Sequence, residues 1–199
     1  MPERHPHWAR YTIELVVLLA VALVGTLLVK NTVAQAFSIP SSSMEPQLLI
    51  GDRVAVSRLA YRLHDPRRGD IVVFREPGAT VEAEPLVPRV LGEVLQTIGL
   101  QHPHETELIK RVVGLPRENI ASIGGKVHID GRRLVEPYLP KGVSTRDFGP
   151  VKVPKGHVFV LGDNRSNSAD SRVIGAVPID SIVGRAVARV WPPQRLAFL

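Results

Sequence analysis

Residues 38–46 read Ser-Ile-Pro-Ser-Ser-Ser-Met-Glu-Pro: three consecutive serines between Pro40 and Pro46, with an apolar run, Leu48–Ile50, just beyond. A serine hydroxyl is a poor nucleophile until a base takes its proton. The stretch is therefore a linker, a helix cap (Ser42-x-x-Glu45 has the form of a capping box) or the housing of a nucleophile, and its own residues do not choose among these. Histidine is the first base to seek. His64, His102, His104, His128 and His157 sit in no recognisable triad motif, there is no Gly-x-Ser-x-Gly elbow, and His157, at the start of an apolar strand, reads as structural.

Lysine is the alternative. With a free pKa of about 10.4, only roughly 0.1% of it is neutral near pH 7.5, so a lysine base must be desolvated, which disfavours the ammonium. Lys110 lies within Leu108-Ile109-Lys110-Arg111-Val112-Val113. In a strand, Lys110 and Arg111 point to opposite faces, so one can face the core while the other faces solvent. Lowering the amine by about 2 units costs roughly 2.7 kcal/mol, which a folded β body can supply. A surface lysine on an edge strand is the competing reading. A third stretch, Gly162 to Arg172, holds two Asp, two Arg, two Asn and three Ser after an apolar strand. Solubility alone does not require that mixture, whereas a hydrogen-bonded network that orients a catalytic group does.

The elements that would position these groups can be read coarsely. The 17 prolines and 16 glycines, with few helical patterns beyond residue 35, favour strands and turns. Leu48–Val56 reads as strand, Gly-Asp turn, strand; Arg68-Gly69-Asp70 as a turn feeding the strand Ile71–Phe74; Leu108–Gly114 as a strand; Val127–Leu134 as a hairpin turning at Asp130-Gly131; His157–Leu161 as a buried strand; and Ile182–Trp191 as a closing strand. Residues 76–106 read as loop, with a short helix near 90–98, and residues 136–150 as irregular. The pattern is mostly β, with no internal repeat.

Absent cysteine removes disulfides, thiolate zinc sites and cysteine nucleophiles. His102-Pro103-His104-Glu105 lacks a third ligand at recognisable spacing, so no metal is expected. The net charge of +6 is spread along the chain without aromatic interleaving, which makes a nucleic-acid binder a weak reading and fits a surface near anionic lipid at least as well. Near the N-terminus, Leu15–Val29 is apolar apart from Gly25 and Thr26. Counted from Tyr11, roughly 19 residues give about 28 Å of helix, enough to span a hydrocarbon core. A retained anchor is one reading. Ala34-Gln35-Ala36 has the small-x-small form of a cleavage site, so a cleaved signal is the other.

Pro40-Ser41-Ser42-Ser43-Met44-x-Pro46, Lys110-Arg111-Val112-Val113-Gly114-Leu115-Pro116 and Gly162-Asp163-Asn164-Arg165 through Ser168-Ala169-Asp170-Ser171-Arg172, in that order and behind an apolar anchor, resemble the boxes of bacterial type I signal peptidases, a serine–lysine protease family. The resemblance covers nearly the whole chain, least clearly 76–106. It implies Ser43 as nucleophile and Lys110 as general base. It implies an oxyanion hole from the Ser41 hydroxyl and the Ser43 N–H, and Ser168 as the group orienting the lysine amine. Asp170 and Arg172 would form a supporting ion pair, with Asp163 and Arg165 nearby. Phe37, Ile39, Met44, Leu48 and Ile109 would line two shallow apolar pockets suited to Ala-x-Ala-like sites.

The implied fold is a β catalytic core of coiled antiparallel sheets over 36–117 and 151–199, with a small β annex over 118–150. It would follow a cytoplasmic N-terminus (1–10) and one transmembrane helix (11–30), placing the catalytic domain on the periplasmic or extracellular side of the bacterial inner membrane. The implied partners are preprotein signal peptides and the lipid bilayer, with no nucleic acid, metal or cofactor. Arg117-Glu118 stands where the family usually has Gly-Asp, and Ser42 where it often has glycine. A self-cleaving repressor-type serine–lysine protease and a non-enzymatic, membrane-anchored β binding domain are the alternatives. Ala34-Gln35-Ala36 also motivates the hypothesis of self-cleavage after Ala36, which the sequence does not decide.

Overall fold

The computed structural model describes residues 11–19, 21, 22, 25, 35–76 and 107–199. The segment 1–10, the helix expected near 90–98, His102 and His104 lie outside these. Residues 11–19, 21, 22 and 25 are helical; among the described residues no helix is long and apolar enough to cross a membrane.

From residue 35 the chain is mostly β and antiparallel. Its strands are β1 (Gln35–Ser38), β2 (Arg53–Ser57), β3 (Ile71–Arg75), β4 (Glu107–Gly114), β5 (Asn119–Ile123), β6 (Lys126–Ile129), β7 (Arg132–Arg133), β8 (Phe148–Lys152), β9 (His157–Leu161), β10 (Val177–Pro178), β11 (Ile182–Trp191) and β12 (Ala197–Phe198). An eight-stranded sheet runs β1-β2-β11-β3-β4-β9-β10, with β12 also paired to β11, and a four-stranded sheet runs β7-β6-β5-β8.

The unbroken apolar run of β3 explains where the core lies. In β3, Ile71 and Val73 join one buried cluster, with Val54, Val56 and Met44, while Val72 and Phe74 join a second, with Val112, Val158 and Val160. A strand apolar on both faces belongs inside a sheet, and β3 lies between β11 and β4. A third cluster is shared by both sheets: Ile120 and Val127 of the smaller one pack with Val113, Phe159 and Leu161 of the larger. Phe148 of β8 stacks on Phe159 with centroids 5.4 Å apart.

The expected turn at Arg68-Gly69-Asp70 and the strands over 71–74, 108–114, 157–161 and 182–191 form. So does the hairpin at Asp130-Gly131, both residues taking positive φ (48° and 78°) as its tight turn requires. Three expectations are corrected. Leu48–Ile50 is not a strand, because the Asp52 carboxylate accepts the Leu49 N–H at 2.9 Å and closes a turn. The capping box at Ser42 does not form: the 3-10 turn Ser42–Met44 has no side-chain cap. Residues 136–150 are not irregular throughout, since β8 begins at Phe148. Ala36, where self-cleavage is the hypothesis, lies in β1, paired to Ala55.

Arg117 has φ 73°, in the left-handed region. Glu118 accepts the Leu115 N–H at 2.7 Å and pairs with Arg68 at 2.6 Å, closing the turn into β5. A side chain in that region costs about 1–2 kcal/mol, and glycine's looser unfolded chain returns about 0.5–1 kcal/mol of that. Arg117→Gly should therefore stabilise the protein by about 0.5–1 kcal/mol, read as a higher urea midpoint at unchanged slope.

Candidate active site

The 3-10 turn Ser42–Met44 begins just beyond Pro40 and is anchored from below by Met44 and Leu48, both fully buried. From across the fold, the Asn164 N–H donates to the Ser43 carbonyl at 3.1 Å, the Asn164 amide to the Ser42 carbonyl at 3.1 Å, and Asn167 to the Ser42 hydroxyl at 3.1 Å. Ser42 thus ties this turn to the 162–172 loop.

Strand β4 brings Lys110 to this turn. Its Nζ donates to Ser43 Oγ at 2.9 Å and to the Ile109 carbonyl at 2.8 Å, and the residue is only 3% exposed. Burial lowers the amine to about 8, against a smaller opposing pull from the Asp170 carboxylate. Ser43 is also buried, and Ser41 Oγ lies 3.2 Å from Ser43 Oγ. The described histidines take no part: His64, His128 and His157 each bond a main-chain carbonyl within two residues of themselves.

Lys110 does not face the core alone. Arg111, expected at the solvent face, is buried as well. It grips Asp163 with two bonds of 2.8 and 2.6 Å, donates to the Gly69 carbonyl at 2.8 Å and lies 4.1 Å over the Tyr138 ring. The other face of β4 is covered by the polar loop and by the segment between β7 and β8.

The loop from Gly162 to Arg172 is a network. Asp170 and Arg172 pair through bonds of 2.8 and 2.7 Å. Burial would raise the Asp170 carboxyl; bonds from Arg172 and from the Gly162 N–H outweigh it and hold it below the usual carboxylate range. Asp170 also caps the one-turn helix Ser171–Ile174. Asp163 and Arg165 do not pair with each other through their side chains. Asp163 takes Arg111, and Arg165 takes Glu136 and Thr145. Ser168 Oγ is buried without a well-formed hydrogen bond, although it helps keep Asp170 ionised. A Cβ on Gly162 would lie 2.2 Å from Ser168 Oγ and 2.5 Å from the Ser43 carbonyl, so only glycine lets the loop approach the serine turn this closely.

Phe37, Ile39, Met44, Leu48 and Ile109 all join one buried cluster, with Phe37 and Ile109 the least covered. Clefts of about 610 and 490 Å³ are lined by other residues, among them Ser144, Arg165 and Ser166, which are common to both. Sequence reasoning missed Arg111, Glu136 and Tyr138 as participants. Arg111 carried a signal, a second cation inside an apolar strand. Glu136 and Tyr138 carried none, lying in a stretch without periodicity. Among the described residues, no group of three His, Cys, Asp or Glu side chains could hold a metal.

A buried amine within hydrogen-bond reach of a serine hydroxyl, in a mostly β body, is suited to acyl transfer by a serine hydrolase using lysine as base. The model of the family "Signal peptidase, peptidase S26" matches residues 11–191, and the chain belongs to that family. Among its relatives, a signal peptidase I of Leptolyngbya laminosa is 40% identical over 91% of this chain and 80% of its own length. A probable signal peptidase I-2 of Synechocystis sp. is 37% identical over 94% and 77%. A signal peptidase I of Mycobacterium tuberculosis is 35% identical over 92% and 73%.

The lysine's environment has a consequence for stability. The amine falls from 10.5 to about 8 on folding, so between those values the unfolded chain binds more protons and stability rises with pH. Below about 8 the penalty is present in full, on the order of 3 kcal/mol. Lys110→Met should thus be more stable than the parent by about 1–3 kcal/mol at pH 7, an advantage that fades as pH climbs from 8 toward 10.5. Paired denaturant titrations across that range read it.

Proposed function

We propose that this chain is a membrane-anchored serine endopeptidase that removes N-terminal signal peptides from exported preproteins, with Ser43 as nucleophile and Lys110 as general base. The observation that carries the proposal is the 2.9 Å contact between Lys110 Nζ and Ser43 Oγ, made by an amine that burial lowers to about 8. A base poised near the operating pH is the condition for efficient proton transfer.

The neutral amine takes the Ser43 proton as Oγ attacks the scissile carbonyl. The Ser41 hydroxyl and the Ser43 N–H stabilise the oxyanion, and the new ammonium protonates the leaving amine. A water activated by the same amine then hydrolyses the acyl ester. Asp170, with Arg172, holds charge near the ammonium without neutralising the desolvation that keeps the pKa low. Ser168 orients the amine during turnover; its buried, unsatisfied hydroxyl supports that role. The cluster of Phe37, Ile39, Met44, Leu48 and Ile109 underlies pockets for small side chains, hence cleavage after Ala-x-Ala-like sites. The apolar helical residues Tyr11, Ile13, Leu15–Leu19 and Val21 are exposed, which suits lipid, and β1 starts soon after them. The catalytic domain then works beside the bilayer, on its periplasmic or extracellular side, with the N-terminus cytoplasmic.

The test is cleavage of a preprotein by the full chain in lipid vesicles. Ser43→Ala and Lys110→Arg should abolish it, because a guanidinium cannot deprotonate a hydroxyl. Substantial turnover by either would sink the assignment. Since the base acts when neutral, the rate should rise with pH through an acid limb near 8; a limb near 6.5 would point to histidine instead. Ser41→Ala should lower kcat by about 100- to 1,000-fold, the usual cost of losing one oxyanion donor.

A further inference from the structure

We propose that Glu136 and Tyr138, in the segment joining β7 to β8, are positioning residues for the Ser43–Lys110 pair: Glu136 fixes Arg165, Tyr138 fixes Arg111, and neither bonds to the serine or the lysine. The inference rests on the Ser43–Lys110 assignment made under Proposed function.

The Arg165 side chain is 1% exposed. A guanidinium so deeply buried is tolerated only when its donors are met and its charge is paired. Its Nη1 donates to Glu136 Oε2 at 3.0 Å and to Thr145 Oγ1 at 2.7 Å, its Nη2 to Glu136 Oε1, and its Nε to the Gly162 carbonyl at 3.1 Å. Gly162 is the residue wedged between Ser168 and the Ser43 carbonyl, and its own N–H donates to Asp170 at 3.0 Å. Glu136 therefore reaches the group facing the lysine through one arginine and one glycine.

Two residues along, the Tyr138 ring lies 4.1 Å beneath the Arg111 guanidinium, and its hydroxyl donates to Glu136 Oε1 at 2.6 Å. Arg111 is the strand neighbour of Lys110 and holds Asp163, at the head of the polar loop. Pro137, between the two clamp residues, restricts the backbone that sets their separation. One short segment from outside the large sheet thus grips both the strand that carries the lysine and the loop that covers it. The charged group acting on the amine is Asp170, paired to Arg172; Arg172 donates to the Arg165 carbonyl at 2.7 Å, which ties that pair to the clamp, while Tyr138 steadies Arg111 and its partner Asp163. Releasing it lets the loop drift and water approach the amine, so the amine becomes harder to neutralise and worse aimed.

The experiment is the pH profile of preprotein cleavage by the full chain in vesicles, comparing the parent with Glu136→Gln, Tyr138→Leu, Tyr138→Phe and Asp130→Asn. Asp130 accepts the Asn119 N–H at 2.9 Å in the same small sheet but bonds neither arginine, so its variant weakens that sheet without touching the clamp. Glu136→Gln and Tyr138→Leu should lower kcat about tenfold or more, as misplaced catalytic groups do, with KM within about twofold and the acid limb moved up toward the free-lysine value of about 10.4. Tyr138→Phe, which keeps the ring and loses only the bond to Glu136, should shift both in the same direction by less, and it carries the test if Glu136→Gln does not fold. Asp130→Asn should leave the limb in place. Folded clamp variants with parental kcat and limb would overturn the proposal, as would an equal shift in Asp130→Asn. Failure of the dyad itself looks different: Lys110→Arg would then remain active in the parent background.

Discussion

An amine kept out of water is the constraint to which the rest of the structure answers. Moving Lys110 from 10.5 to about 8 is a penalty on the order of 3 kcal/mol, comparable to a sizeable fraction of a domain's net stability. It is tolerable because β4 lies inside the sheet, between β3 and β9, where Ile109, Val112 and Val113 are buried in three different clusters. Among the described residues the ammonium finds two acceptors there, Ser43 Oγ and the Ile109 carbonyl. That is too little to replace water, and the shortfall is what leaves the amine able to act as a base.

The remaining buried charges follow a different rule. Arg111 is matched by Asp163, Arg172 by Asp170, and Arg165 by Glu136, each through two or more bonds. Such pairs add little net stability compared with apolar packing, but breaking one is severe. Their value here is geometric. A bidentate pair fixes orientation as well as distance, and together the pairs hold a loop without regular structure against the serine turn to within hydrogen-bond tolerance. Among the described residues no carboxylate lies in salt-bridge reach of Lys110, unlike Arg111, Arg165 and Arg172, and the contrast sets its chemistry.

Much of the fold was legible because its signals are local. The turn at Asp130-Gly131 needs residues that accept positive φ, and the continuous apolar run Ile71–Phe74 is what a strand buried on both faces requires. Where the reading failed, a local pattern was overruled by a contact it could not show. Leu48-Leu49-Ile50 looks like a strand until Asp52 captures the Leu49 N–H. Arg111 looks solvent-bound until the loop arrives with Asp163 and the β7–β8 segment with Tyr138.

The sequence by itself determined the mostly β body and the candidate chemistry: a serine triplet, a lysine in an apolar strand and a polar loop, whose order and spacing mark the family. Residue types and local periodicity suffice for that. Only the tertiary structure decided which side chains meet. Ser43 and Lys110 are separated by 67 positions, and Ser42 and Asn167 by 125. Distances of that kind are set by how two sheets share a core, and the lowered pKa of the amine is a property of that burial, which lysine in a peptide does not possess.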